Sequence, residues 1–201
     1  DVWLLGRRHQ GKGLFAKSKL CVAEGDHISY LNVFNAWEAN DCSSDFCVEM
    51  GLNNKVMKRA NEVYKQLKKQ VKRVRVNTLG LELDILRTLT ASDDPDQEAL
   101  NQLSACLIGA FFPNAAHRVA DGSYVSVHGG LNLHLHASCA CYGDPPEWLI
   151  FNEVVQADKL WMRDCLTVRN PLWLVQLAPH FYQYKAQTGR QERPEPLQGL
   201  R

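Results

Sequence analysis

The sequence lacks an excess of charge of either sign. Its 23 lysines and arginines stand against 22 aspartates and glutamates, for a formal net charge of +1. Such a chain has no global attraction to nucleic acid, so binding of that kind needs a local basic surface. No apolar run reaches the roughly 20 residues that cross a bilayer, and Val2–Leu5 is too short for a signal-peptide core. We therefore expect an intracellular protein, nuclear or cytoplasmic, that does not contact membranes.

The sequence also lacks an even cysteine framework. It has seven cysteines, which favours reduced thiols in the cytosol or nucleus over a disulfide scaffold. With 201 residues, of which 45% are apolar and 22% charged, the chain is long and apolar enough to bury one or two cores.

A complete catalytic motif is absent as well. There is no G-x-S-x-G nucleophile elbow and no H-E-x-x-H helix. Gly6, Gly11 and Lys12 fit a phosphate-binding loop, but Gly13 stands where a Ser or Thr hydroxyl should hold magnesium. We interpret residues 1–24 as a basic linker, predict no catalytic or metal-binding residues, and do not expect this chain to hydrolyse a nucleotide.

Helical periodicity runs through residues 25–91. Asp26 is a good N-cap for a first helix, Ser43 or Ser44 can begin a second, and Asn53-Asn54 can cap a longer third. The predicted buried face of the first helix is Ile28, Leu31, Phe34 and Trp37. The predicted buried stripe of the third is Val56, Ala60, Val63, Leu67, Val71 and Val74. Leucines between Asn77 and Ala91 indicate that the helical part continues.

Positive charge collects along the third helix, where it is opposed only by Glu62. The basic residues are Lys55, Lys58, Arg59, Lys65, Lys68, Lys69, Lys72, Arg73 and Arg75. A basic stripe can bind nucleic acid without reading its sequence. It can equally be the solvated face of an amphipathic helix, so both interpretations stay open.

Residues 92–184 change from helical to strand periodicity. Asp94 can cap a helix with Pro95 at its first position and Gln97 reaching back in a capping box, and Gly109 should permit close helix packing. Asp121-Gly122 and Gly129-Gly130 then mark two turns of a β meander. In its third strand Leu131, Leu133 and Leu135 alternate with polar residues, which predicts one core-facing side.

Two apolar runs, Trp148–Val155 and Leu160–Val168, follow as adjacent antiparallel strands. Asn170 and Pro171 can start a short terminal helix that Pro179 ends. The order of elements predicts an α+β chain, in which an N-terminal helical bundle precedes a small antiparallel β-barrel of the oligonucleotide-binding (OB) kind. We expect the OB-fold domain at 92–184 and a flexible tail at 185–201.

Several short segments of the sequence resemble the C-terminal part of the DEAH-box RNA helicases. The segments in the barrel half are Phe151-Asn152-Glu153, Lys159-Leu160-Trp161-Met162-Arg163, Pro171-Leu172-Trp173-Leu174 and Leu177-Ala178-Pro179-His180-Phe181-Tyr182. The segments in the helical half are Gly25-Asp26-His27, Leu31-Asn32-Val33-Phe34-Asn35-Ala36-Trp37, Lys58-Arg59-Ala60 and Gln66-Leu67. The resemblance covers about residues 25–182 and identifies 25–91 as a partial helical ratchet (HA2) domain before the OB fold.

This resemblance implies an auxiliary role in ATP-dependent RNA unwinding. The chain would hold the backbone of single-stranded RNA, while nucleotide-binding domains outside it, absent here together with the Asp-Glu-Ala-His box, would use ATP and magnesium. Family members also take regulatory partners of the glycine-patch type. The alternative is a free-standing RNA- or protein-binding module of helicase descent without catalytic activity.

Five residues are the predicted RNA contacts. Lys159 and Arg163 match the family word Thr-Thr-Lys-x-Tyr-x-Arg, although Ala157-Asp158 replaces both threonines. His136 and Ser138 stand where the family has His-Pro-Ser-Ser, with alanine and cysteine at the other two positions. Arg118 completes the set. For Arg163 the alternative is an ion pair within the barrel, with Glu153 or Asp164.

Two further clusters admit more than one interpretation. His134, His136, Cys139 and Cys141 have the ligand types that zinc prefers, but unusual spacing, and buried thiols beside polar-face histidines explain them as well. The aromatic residues of the barrel half could stack on bases, yet at periodic positions they are more often core. These aromatic residues are Trp148, Trp161, Trp173 and Phe181.

Overall fold

The computed structural model describes residues 2–3, 19–71, 89–185 and 193–196. The chain divides into two compact units, one within residues 1–22 and 27–80 and the other within 23–26 and 81–201. The short segment 23–26, which we placed partly in the linker, therefore belongs with the barrel. The phosphate-loop-like residues 6–13, Val74 and the leucines 79–86 lie outside the described residues. No helix in the described ranges is long and apolar enough to span a bilayer.

The three predicted helices are α1 (Asp26–Ala39), α2 (Ser44–Met50) and α3 (Asn54–Val71), and all of them except Asp26, the first residue of α1, belong to the first unit. Ser43 caps α2 by accepting the N–H of Asp45, and Asn53 accepts the N–H of Val56 at the start of α3, which confirms both predicted starts. The buried core consists of Trp3, Val33, Trp37, Cys47, Met50, Leu52 and Met57. Since Trp3 is buried and bridged to Leu52, this part of the predicted linker belongs to the folded core.

Two predicted apolar faces of the first unit are wrong in part, although Ile28 and Trp37 on α1 are buried as predicted. On α1, Leu31 is exposed and Val33 is buried, because steps of three residues drift by about 60° each around a helix with 3.6 residues per turn. On α3, Met57 is buried, whereas the predicted stripe residues Val63, Leu67 and Val71 are exposed at 44%, 52% and 69%. Periodicity predicted which residues share a face, but could not predict whether anything packs against it.

The second unit opens with α4 (Pro95–Phe111), which is capped as predicted by Asp94. The side chain of Gln97 donates to Asn101 instead of reaching back to the cap, so the capping box is wrong. Gly109 is also not a packing position, because a Cβ there would meet nothing within 4 Å. The helix buries Ala105 and Ile108.

The predicted β-barrel is confirmed, and it has five strands. Its strands close in the order β1-β2-β3-β5-β4, with β3 and β5 parallel and the other neighbours antiparallel. The strands are β1 (Ala115–Arg118), β2 (Tyr124–Ser126), β3 (Asn132–Leu135), β4 (Trp148–Gln156) and β5 (Leu160–Thr167). Both predicted glycine turns are present, with positive φ at Gly122, Gly129 and Gly130. Short 3₁₀ helices at Phe112–Asn114 and Ala140–Gly143 precede β1 and β4.

The interior of the barrel is apolar and contains thiols. Tyr124, Leu133, Leu149, Met162 and Cys165 are fully buried there. Leu131, predicted to share the core face of β3, is exposed because it precedes the strand in the glycine turn.

The chain after the barrel forms α5 (Leu172–Leu177), whose first N–H is accepted by Asn170 as predicted. Part of the segment 185–201, which we predicted to be a flexible tail, is described as a strand. Residues Arg193–Pro196 form β7, which pairs antiparallel with β6 (Tyr182–Lys185).

Candidate nucleic-acid interface

The alternation of side chains along β3 and β5 creates a polar and aromatic outer face on the barrel. Leu135 and Met162 point inward and are buried. Their neighbours along the strands therefore point outward, since successive side chains of a strand alternate. We define the outer face by these neighbours and by the residues paired with them on β4: His134, His136, Trp161, Arg163, Glu153 and Val155.

Strand pairing brings these residues side by side. In the parallel pair β3 and β5, His134 stands opposite Trp161, and the N–H of His136 donates to the carbonyl of Met162 at 3.1 Å. In the antiparallel pair β4 and β5, Glu153 stands opposite Arg163. Residues of β3, β4 and β5 thus form one continuous surface.

Trp161 is the aromatic centre of the outer face. Its ring centroid lies 5.5 Å from that of His134 and 6.0 Å from that of His136. The indole N–H donates to Asp158 at 2.9 Å, and this bond lowers the pKa of the Asp158 carboxyl. Trp161 is therefore held in one orientation at the surface, where an aromatic ring can stack on a base. Trp161 is half-buried and lies outside the buried core cluster of the barrel, and its alternation with the inward Met162 is the signal that could have predicted this position.

Arg163 forms the predicted ion pair with Glu153. The guanidinium Nη1 lies 3.6 Å from the carboxylate, and the two side chains are 31% and 50% exposed. A pair this exposed contributes little to stability, so the guanidinium can exchange its carboxylate for a phosphate at small cost. The ion pair offered as the alternative for this residue is therefore confirmed, and the RNA contact stays a prediction.

His136 and Ser138 are brought together as a local turn. The Ser138 hydroxyl lies 2.7 Å from Nδ1 of His136, and the Ser138 N–H donates to the same Nδ1 at 3.1 Å. Because Nδ1 accepts that N–H, the neutral imidazole carries its proton on Nε2. The ring therefore offers an N–H donor through the nitrogen that the turn does not use.

Lys159 lies at the end of the β4–β5 connection, as predicted. The turn is closed by a bond from the N–H of Ala157 to the carbonyl of Lys159, at 2.9 Å, and the lysine is exposed. It adjoins the outer face through Trp161, two residues further along the chain.

Arg118 has a different position from the other predicted contacts. It ends β1, and its guanidinium donates to the carbonyl of Pro145 at 2.7 Å, in the loop that leads into β4. Its described contact holds this loop, and the strand order places β1 beside β4 rather than beside β3 or β5.

The four residues of the zinc hypothesis do not converge. Cys139 and Cys141 are buried in the barrel core, whereas His134 and His136 belong to the outer face. Burial raises the pKa of the Cys141 thiol to about 12, which disfavours the thiolate that zinc binds. Among the described residues, the potential ligand atoms that do cluster are those of Asp26, Cys139 and Cys165. Both carboxylate oxygens of Asp26 already accept backbone N–H groups.

Comparison with known proteins agrees with this architecture. Residues 103–182 match a family model described as an oligonucleotide/oligosaccharide-binding (OB)-fold. The chain is 36% identical over 184 residues to the human "Probable ATP-dependent RNA helicase DHX35". The aligned region covers 91% of this chain and 24% of the relative.

One fungal and one plant relative also match most of this chain over a small part of their own length. Identity is 30% over 188 residues to the Schizosaccharomyces pombe "Pre-mRNA-splicing factor ATP-dependent RNA helicase prp22", covering 92% of this chain and 14% of the relative. It is 29% over 182 residues to the Arabidopsis thaliana "Pre-mRNA-splicing factor ATP-dependent RNA helicase DEAH10", covering 84% and 23%. The chain thus spans about a quarter or less of the length of these relatives.

Proposed function

Because this chain corresponds to the C-terminal, OB-fold-containing region of the DEAH-box RNA helicases, we propose that it is an auxiliary region that holds single-stranded RNA. The RNA strand lies across the outer face of the barrel, and the outer face binds the RNA through its sugar-phosphate backbone. One observation carries the proposal: strand pairing assembles cationic, aromatic and imidazole groups on the exposed side of β3 and β5.

Each of these side chains would contact the RNA in a different way. Lys159 and Arg163 neutralise phosphates, which positions a strand without specifying its sequence. His136 donates from Nε2 to a phosphate oxygen, while Ser138 keeps the ring in that tautomer. Trp161 offers a face on which any base can stack, a contact typical of single-strand binding by OB folds.

The rest of the proposed activity lies outside this chain. The relatives are named ATP-dependent RNA helicases, and ATP and magnesium would act in nucleotide-binding domains that this chain does not contain. A glycine-patch type regulatory protein is a proposed partner of the same region. The present chain contributes binding, not turnover.

The proposal is tested by fluorescence anisotropy with a labelled single-stranded oligoribonucleotide over a range of salt concentrations. Each phosphate contact contributes about −0.7 to the slope of log K against log salt for single strands. The double variant Lys159→Ala/Arg163→Ala should therefore bind more weakly and reduce the magnitude of the slope by about 1.4. Arg169→Gln is the matched control, since it removes one exposed cation of the same unit beyond the far end of β5.

Two results contradict the proposal. The first is an unchanged affinity and slope in the double variant. The second is a loss of binding on changing Lys65 and Lys68 to alanine instead, because these exposed residues belong to the basic helix α3 of the first unit. That outcome would move the RNA site from the barrel to the helix.

A further inference from the structure

Asp26 is an acidic residue buried where no function was predicted for it. We expected a helix cap, but α1 begins at Asp26 itself and the side chain is bonded elsewhere. One carboxylate oxygen accepts the N–H of Ala140 at 2.7 Å, and the other accepts the N–H of Cys165 at 2.8 Å. The residue is 5% exposed.

The two donors belong to two different parts of the proposed RNA site. Ala140 lies two residues after Ser138, at the end of the turn that holds the His136 ring. Cys165 lies two residues after Arg163 on β5. A single carboxylate therefore connects the backbone that carries the imidazole to the backbone that carries the guanidinium.

The segment that supplies Asp26 is itself fixed to β5. Gly25 bridges to Leu166, and the N–H of Thr167 donates to the carbonyl of Glu24 at 2.9 Å. Gly25 has a φ of 119°, which brings its backbone against Cys165 without a side chain in between. The backbone just before Asp26 is thus fixed to β5, and from there the Asp26 side chain contacts Ala140 at the end of the His136–Ser138 turn.

We propose that Asp26 is the positioning residue of the RNA-binding surface, and that its carboxylate sets the spacing between the His136–Ser138 turn and Arg163 on β5. This inference rests on the proposed function. The RNA itself does not contact Asp26, which acts through the two backbone N–H groups.

A carboxylate suits this position better than a neutral amide. It offers an acceptor oxygen to each N–H, and hydrogen bonds to an ionised acceptor are shorter and stronger than neutral ones. Asparagine keeps one acceptor but turns an N–H₂ donor toward the other backbone N–H, so one of the two connections is lost. Burial raises the pKa of the Asp26 carboxyl, while the N–H groups of Cys165 and Ala140 act in the opposite direction.

The test is a double-mutant cycle measured by anisotropy with a single-stranded oligoribonucleotide. Asp26→Asn should weaken binding roughly tenfold, a coupling typical of residues that act as one unit. In a His136→Ala background the same change should cost about twofold or less, because the contact that Asp26 positions is already gone. Glu24→Gln is the matched control, since it removes the neighbouring carboxylate, which pairs with Arg169 and not with the turn.

Equal losses in the two backgrounds would overturn the proposal, because general destabilisation does not depend on His136. Wild-type affinity of Asp26→Asn would overturn it as well. If the proposed function is wrong, His136→Ala and the Lys159/Arg163 variant already bind like the wild type. If only this inference is wrong, those variants weaken binding, and Asp26→Asn either leaves the affinity unchanged or costs the same in both backgrounds.

A second variant covers the case in which Asp26→Asn fails to fold. Ala140→Pro removes one N–H donor and leaves the carboxylate in place. Ala140 is the first residue of a 3₁₀ helix and follows an extended residue, Cys139 with ψ of 140°, a setting that accepts proline. We expect a similar loss of RNA affinity, again reduced in the His136→Ala background, and an additive loss contradicts the proposal.

Discussion

Replacing Gly25 by alanine should be among the most damaging single-methyl changes in the barrel unit. A Cβ at this position would lie 2.3 Å from the carbonyl oxygen of Cys165 and 2.9 Å from the Cα of Leu166. Both neighbours are backbone atoms of β5, so neither can turn aside as a side chain could. The φ of 119° adds a strained conformation, which by itself costs about 1–3 kcal/mol.

We therefore predict that Gly25→Ala lowers the free energy of unfolding by about 3 kcal/mol or more, a large part of the 5–15 kcal/mol typical of a domain. The assay is urea unfolding followed by tryptophan fluorescence and circular dichroism, with the midpoint and the slope reported together.

Two other glycines serve as controls because they separate the clash from the backbone conformation. Gly122 has a φ of 84° with nothing within 4 Å of a Cβ, so Gly122→Ala should cost only about 1 kcal/mol. Gly109 lies within α4 in open space, and Gly109→Ala should stabilise by about 0.5–1 kcal/mol. A Gly25→Ala variant that unfolds like Gly122→Ala would refute the close approach of segment 23–26 to β5.

Three further predictions concern the core of the barrel unit. In the native protein at pH 8, iodoacetamide should modify the exposed Cys106 and spare Cys141, whose thiol is buried and whose pKa is raised to about 12; mass spectrometry of native and unfolded samples distinguishes them. Tyr124→Phe should cost about 1–3 kcal/mol in thermal or chemical unfolding, since it leaves the carbonyl of Pro146 without the hydroxyl now 2.6 Å away. Leu133→Ala should cost about 2–5 kcal/mol because Leu133 is fully buried, and a loss below 1 kcal/mol would contradict its place in the core.

Much of the fold could be predicted from local signals. The glycine turns, the caps at Ser43 and Asp94, and the two long strands were read correctly, because turns, caps and strand alternation are decided by neighbouring residues. The closed barrel was an inference from the order of these elements and from the family resemblance. Periodicity failed where burial depends on distant packing, as with Val63 and Leu67 on α3.

The site was predicted less completely than the fold. His136, Ser138 and Arg163 were singled out through the family resemblance. The structure joins Ser138 to His136, and His136 to β5 through the carbonyl of Met162. Trp161 was one of four aromatic residues for which stacking and core packing both stayed open, and only the strand pairing places it beside His134 on the outer face. Asp26 was misread as a cap, since its partners lie 114 and 139 residues away and leave no local trace in the sequence.

The central proposal is that RNA lies on the outer face of the barrel, and amide chemical-shift mapping tests it most directly. The chain, at 22.8 kDa, is titrated with a single-stranded oligoribonucleotide, and the shift changes are assigned along the sequence. We predict that the largest changes fall on His134, His136, Trp161 and Arg163 and on the turn at Lys159. Changes confined to α3, or no saturable change at all, would contradict it.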